Sequence, residues 1–212
     1  MNKEKIILIG SGGHALIVTD IIESSTNYRI IGVTTKDVNI KEFRGYPILG
    51  NDDVLDYYKQ IGINNIAFGV GGYNTNNSSA LIFDSLKAKG FNIITLIHKS
   101  AIICSKVKIG EGCIIFPGVV VNTSAKIGDN VIIATSSSID HESTLEDHVL
   151  ISAGVTVGAY SIIKRKALIA LGAKVISGIE IGENVLIGAG SVVVKDCKEP
   201  GTYLGIPARK IK

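Results

Sequence analysis

The chain has 212 residues, three cysteines, no tryptophan and a formal charge of +3. That length allows one or two domains, and so small a charge, with no long run of like sign, argues against a nucleic-acid partner. No stretch approaches the roughly 18–20 apolar residues of a membrane span, and the apolar run in MNKEKIILIGSGGHA is too short for a signal peptide, so a cytoplasmic protein is expected.

The first ninety-odd residues alternate between strand and helix patterns. Lys5–Gly10 is a short apolar run ending in glycine, the mark of a buried strand. Ala15, Leu16, Val18, Thr19, Ile21 and Ile22 follow with helical spacing. Next come a strand at Tyr28–Val33, a turn at Gly45–Pro47, a helix at Asp52–Gln60 and a strand at Asn64–Val70. A helix near Ser79–Lys89 and a last strand at Asn92–Ile97 complete a small parallel sheet of the Rossmann-like α/β type. The polar stretch Gly71–Ser79 would be a loop at a strand's carboxyl end, where open α/β sheets bind ligands.

Gly10-Ser11-Gly12-Gly13-His14-Ala15 reads as G-x-G-x-x-A between a strand and a helix, so backbone N–H groups can face an anion at the helix start. Dinucleotide binding also wants an acid at the end of the second strand, and Ile31–Thr35 carries none, which argues against NAD. A nucleotide-sugar or another phosphate ligand stays open beside a plain strand–helix turn. The turn itself needs no histidine, so His14 points to ligand contact.

From Ile97 to Lys198 the rhythm changes to an unbroken six-residue repeat. Each hexad opens with an aliphatic residue, Ile97 through Val193, and four residues later stands a small or modest one, Ala101 through Cys197. This period is the signature of a parallel β-helix, with three short faces per coil and residues eighteen apart stacked. Such hexapeptide coils wind left-handed, against the usual crossover rule. The expected division is therefore residues 1–96, the Rossmann-like domain, and residues 97–212, the β-helix with a short tail. Cys113 and Cys197 hold inward positions, whereas Cys104 should face out.

Asp140-His141-Glu142 is the second motif with chemistry. His141 lies two places after inward Ile139 and so on the outside of the coil, with Ala159 one coil on leaving open surface beside the ring. An imidazole is the natural general base near neutral pH, and an adjacent carboxylate can orient it. No serine or cysteine is flanked by a convincing base, which argues against a covalent acyl intermediate.

The loop GSGGHA, the segment LIHKSA (Leu96–Ala101), the hexad array, the DHE triplet and the ending GIPARKI (Gly205–Ile211) occur together and in order. In this the chain resembles the bacterial sugar acyltransferases of the bacillosamine and perosamine N-acetyltransferase type, with sialic acid O-acetyltransferases as relatives. The resemblance implies a homotrimer that uses acetyl-CoA, with no metal, and active sites between neighbouring β-helices. It implies His141 as general base, with Glu142 raising its basicity, and Gly12, Gly13 and His14 at a nucleotide-linked amino sugar. Ala159, Leu171 and Ala189 would contact acetyl-CoA. The implied reaction is N-acetylation of a sugar 4-amino group; O-acetylation of sialic acid is the alternative. The chain departs from its relatives at Leu150, where many place a histidine near the acetyl group. It also departs at Thr34, Thr35 and Ser79, where uridine-binding relatives carry two acids and an arginine. Lys164-Arg165-Lys166 faces out, toward CoA phosphates or as a solvated face. Two other classes are weaker: a zinc site like that of γ-class carbonic anhydrases lacks a third histidine beside His141 and His148, and a non-catalytic scaffold leaves His-Glu without a purpose.

Overall fold

A computed structural model describes residues 3–25, 27–37, 39–72 and 77–211. The N-terminal domain runs β1 (Glu4–Ile9), α1 (Gly13–Ser25), β2 (Tyr28–Thr34), β3 (Glu42–Phe43), β4 (Tyr46–Gly50), α2 (Leu55–Gln60), β5 (Asn65–Phe68), α3 (Asn77–Ala88) and β6 (Asn92–Ile93). Its sheet has the order β3-β4-β2-β1-β5-β6 and is parallel except at one edge. There β3 and β4 form an antiparallel hairpin through Arg44 (φ 52°) and Gly45 (φ 80°), so the expected Gly45–Pro47 turn is a two-residue hairpin and the sheet is mixed. Alternation along β1 splits the core: Ile6 and Leu8 pack with Ala15, Val18, Ile21 and Ile22 of α1, while Ile7 and Ile9 pack with Leu55, Phe68, Phe83 and Phe91 on the other face. Leu16, assigned by spacing to the helix's apolar face, is instead exposed.

The expected strand at Asn92–Ile97 breaks in two. β6 closes the N-terminal sheet, and β7 (Leu96–Ile97) is the first strand of the coil, paired in parallel with Ile114–Ile115. From there three sheets rise together, each adding a short parallel strand every eighteen residues up to Val193, as a left-handed parallel β-helix. The aliphatic column is buried at every hexad from Ile115 to Val193; Ile97, Ile103 and Ile109, in the first coil, are only partly covered. Buried serines at the small position are satisfied by the neighbouring coil. Ser137, Ser143 and Ser161 donate to the carbonyls of Ser152, Gly158 and Ile176.

Each corner turns through a left-handed residue. Every sixth residue from Lys106 to Gly190 has a positive φ, among them Asn130, Glu142, His148 and Tyr160. Such a conformation costs a non-glycine residue about 1 kcal/mol, which explains the glycines that share this place. The outward residues of the β7 face, Leu96, Ile114, Ile132, Leu150 and Leu168, are all buried, since the N-terminal domain lies over that face and α1 rests on β7. Among their counterparts on the other two faces, Ile102, Lys108, Lys126 and Ile162 are exposed, and Val120, Ser138, Thr144 and Thr156 are half-buried.

Candidate active site

Two glycine turns meet the covered face of the coil. β1 ends in Gly10, whose N–H donates to the Thr34 carbonyl, and Gly69 after β5 donates to the Ile9 carbonyl. A Cβ on Gly10 would stand 3.0 Å from the Gly69 carbonyl oxygen, and Gly10 has φ +92°, so both packing and conformation require glycine there. Between these turns and the coil lies a cavity of about 550 Å³. Gly12, Gly13, His14, Gly71 and Gly72 form one wall; Phe116, Ile132, Ala134, Leu150, Ser152 and Leu171 form the other. The expected Gly71–Ser79 loop begins at this rim, but residues 73–76 of it lie outside the described residues and α3 already starts at Asn77.

His14 is the cavity's most constrained polar group. Its ring stacks on Phe116 with centroids 5.4 Å apart, and its Nε2 is buried without a hydrogen-bond partner. Burial pushes the imidazole down to about 4, so at neutral pH it is an uncharged hydrogen-bonding group and not a cation for phosphate. An orphaned buried nitrogen costs on the order of 1–3 kcal/mol, a cost that a ligand atom placed at Nε2 would remove.

The same burial predicts acid sensitivity. Above pH 6.5 both folded and unfolded His14 are neutral and stability is complete. As pH falls from 6.5 toward 4 the unfolded chain takes up a proton that the folded chain refuses, and stability declines by up to about 1.4 kcal/mol per pH unit. His14→Gln should therefore lose about 2 kcal/mol less than wild type between pH 6.5 and pH 5, read from urea denaturation. Equal losses in the two proteins would show that the ring is not shielded.

His141 occupies a different edge of the prism, the corner between strands Ser138–Ile139 and Thr144–Leu145. The cavity residues Ser152 and Leu171 sit instead at corners leading from the covered face to the next. The His141 ring stands edge-on to Tyr160, centroids 5.1 Å apart. Tyr160, one coil above Glu142, escaped the sequence reading, which took only Ala159 into account; Ala159 is buried, and the surface beside the imidazole is occupied by the tyrosine ring. The eighteen-residue stacking rule was the signal that could have found it. Asp140 orders the loop: its Oδ1 accepts from the His141 backbone N–H at 2.7 Å and from Asn122 Nδ2 at 2.9 Å. These two bonds hold its carboxyl below the usual range. Glu142 is exposed at a left-handed corner, and among the described residues no hydrogen bond or ion pair links it to the His141 ring.

The residues expected at the site thus form two groups. Gly12, Gly13, His14 and Leu171 line the cavity, with Ala189 exposed one coil beyond Leu171. His141, Glu142 and Ala159 share the other edge. Leu150 makes an apolar patch in the cavity wall, where the resemblance implied a histidine in many relatives. Thr34 donates to Asp52 at 2.6 Å, and Thr35 shares a hydrogen bond with Ser11 at 2.8 Å. Arg165 remains partly exposed and pairs with Asp84 of α3 at 3.5 Å. Cys113 is buried and its thiol is pushed up to about 12, which leaves it inert. No group of three His, Cys, Asp or Glu among the described residues could hold a metal ion. No helix among them is long and apolar enough to cross a membrane.

Comparison with known proteins agrees with both halves of this arrangement. Residues 5–80 match the family model of the PglD N-terminal domain. PerB from Caulobacter crescentus, solved with CoA and GDP-perosamine, is 27% identical over 98% of this chain and 97% of its own, with a TM-score of 0.89. The acetyltransferase domain of PglB from Neisseria gonorrhoeae, solved with acetyl coenzyme A, is 27% identical over the full length of both, with a TM-score of 0.91. The N-acyltransferase AntD from Bacillus cereus, solved with dTDP and coenzyme A, matches 61% of this chain and 87% of its own at 25% identity and a TM-score of 0.54. A glycine-walled cavity over a hexapeptide coil is thus matched over nearly its whole length by sugar N-acetyltransferases, to which the chain is similar in both fold and sequence.

Proposed function

We propose that the protein is an acetyl-CoA-dependent N-acetyltransferase acting on the 4-amino group of a nucleotide-linked amino-deoxy sugar, assembled as a homotrimer. One observation carries this reading. The cavity joins open glycine backbone to an apolar coil wall and holds a buried, unpartnered His14 Nε2, an environment suited to a sugar whose nucleotide lies over the loop. Enzymes similar to this chain bind GDP-perosamine together with CoA, which supports the same substrate class.

Because His141 does not line its own chain's cavity, a working site needs the cavity of one chain beside the His141 edge of another. In that assembly His141 takes a proton from the sugar ammonium or from the attacking amine. The amine nitrogen bonds to the acetyl carbonyl carbon, the C–S bond breaks, and the CoA thiolate leaves and is protonated. Backbone N–H groups of the coil are the donors available to the transient oxyanion. No covalent enzyme intermediate is needed.

Acetyl-CoA turnover should be measured against UDP-, dTDP- and GDP-linked 4-amino sugars and free sialic acid. Turnover of one nucleotide-linked amine is the expected result; turnover of free sialic acid alone would replace the reading with O-acetylation. On the accepted substrate, His14→Ala should raise the acceptor KM by about tenfold and leave the acetyl-CoA KM within about twofold. A change confined to the acetyl-CoA KM would assign the cavity to the donor.

A further inference from the structure

A second set of polar groups lies buried outside the cavity lining, at the opposite edge of the covered face. At the corner where the coil meets α3, Asn130 and His148 occupy successive coils, and both are buried along with Ser79. Asn130 Nδ2 donates to Ser79 Oγ at 3.2 Å and lies 2.9 Å from His148 Nδ1. The other ring nitrogen, Nε2, stands 3.5 Å from Asp84 Oδ1, and Arg165 Nη2 stands 3.5 Å from the other carboxylate oxygen. Phe83 meets the ring edge-on at 5.7 Å. With a donor facing Nδ1 and a carboxylate facing Nε2, the neutral tautomer that fits carries its proton on Nε2. Burial, and then the Arg165 charge, lower the ring's pKa and keep it in that neutral form.

Three coils of the β-helix are thereby fastened to one helix, through Asn130, His148 and Arg165. Ser79 and Asp84 lie on α3, and Ser79 is in its first turn. Phe83 of α3, which meets His148, also stands edge-on to Phe68 of β5 at 6.3 Å, and Phe68 leads directly into Gly69 of the cavity lining; Gly71, two residues on, is packed so closely on His14 that an added Cβ would stand 3.0 Å from the His14 Cβ. Displacing α3 and its Phe83 therefore disturbs Phe68 and the glycine wall that packs on His14. We propose that His148, bridging Asn130 of the coil to Asp84 of α3, is a positioning residue that sets the acceptor side of the cavity without touching substrate.

The test compares His148→Leu, Asp84→Leu, Asp84→Asn and the double leucine variant with wild type. Amide hydrogen exchange over residues 77–88 and 69–72 is one readout; kcat and both KM values, with GDP-perosamine and dTDP-4-amino-4,6-dideoxyglucose as acceptors, are the other. Each leucine variant should speed exchange in those segments by about tenfold and raise the acceptor KM by about tenfold, with the acetyl-CoA KM within about twofold. Asp84→Asn keeps an acceptor for the Nε2 proton and should stay near wild type, and the double variant should be little worse than either single one. Asp84 is largely exposed, so its leucine variant serves even where His148→Leu fails to fold. Unchanged exchange in Asp84→Leu, or donor and acceptor KM rising together, would overturn the proposal. The kinetic arm rests on the acetyl-transfer reading; wild type that turns over neither acceptor would count against that reading on these substrates, while exchange alone would then decide the positioning role.

Discussion

Replacing His141 by alanine should lower kcat by about 10²–10⁴-fold, the usual contribution of a positioned general base. Thermal stability should hardly move, since the ring lies outside the coil, edge-on to Tyr160. The neighbouring acids separate the possible ways of tuning it. Among the described residues no hydrogen bond or ion pair joins Glu142 to the ring, whereas Asp140 accepts the His141 backbone N–H at 2.7 Å. Glu142→Ala should therefore cost less than His141→Ala, and Asp140→Ala should lower kcat by loosening the loop that carries the base. Full activity in His141→Ala would remove it as the base and turn attention to the cavity's own groups.

The second large effect concerns sharing of the site. A Cβ added at Gly12, in the cavity lining, would meet no atom within 4 Å, so Gly12→Leu can be accommodated by the backbone and should abolish acceptor binding by occupying the cavity. His141→Ala spoils the other edge. Each variant alone should be nearly inactive, but subunits of both, refolded together, should regain about a quarter of wild-type activity, because about one random interface in four pairs an intact cavity with an intact base. A mixture as inactive as its components, with exchange of subunits verified by light scattering of tagged chains, would mean that each chain builds its site alone.

The coil was legible because its constraint is local and repeated. An inward aliphatic residue every six positions can satisfy only one architecture, and Ile115 through Val193 obey it without exception. The glycine loop was equally plain, since strand, turn and helix follow within a dozen residues. What escaped depends on contacts distant in sequence. Asn130 meets Ser79 across 51 residues, and nothing local to His148 announces that α3 will bury it. The partner of Arg165, Asp84 on α3, stayed hidden for the same reason. Tyr160 was missed by looking one coil up at the residue directly above His141 and not at its neighbour, which leans across. Leu16 obeyed helical spacing yet faces solvent, since a helix resting on both a sheet and a coil strand buries a face that spacing alone does not delimit.

The stacking of the coil also fixes which insertions and deletions this protein can survive. Each coil touches only its neighbours, as in other solenoids, so removal of six residues beyond Ile163 would leave every inward position aliphatic and the coil closed. The remainder would nevertheless be advanced by one face. Leu171, now beside the cavity, and Ala189 above it would be carried to another edge, away from the glycine loop. An eighteen-residue change would spare the facing and alter only the height. Folding here has a reading frame of six and function a reading frame of eighteen, so the coil can drift in length by small steps without unfolding but can keep its site only by whole turns.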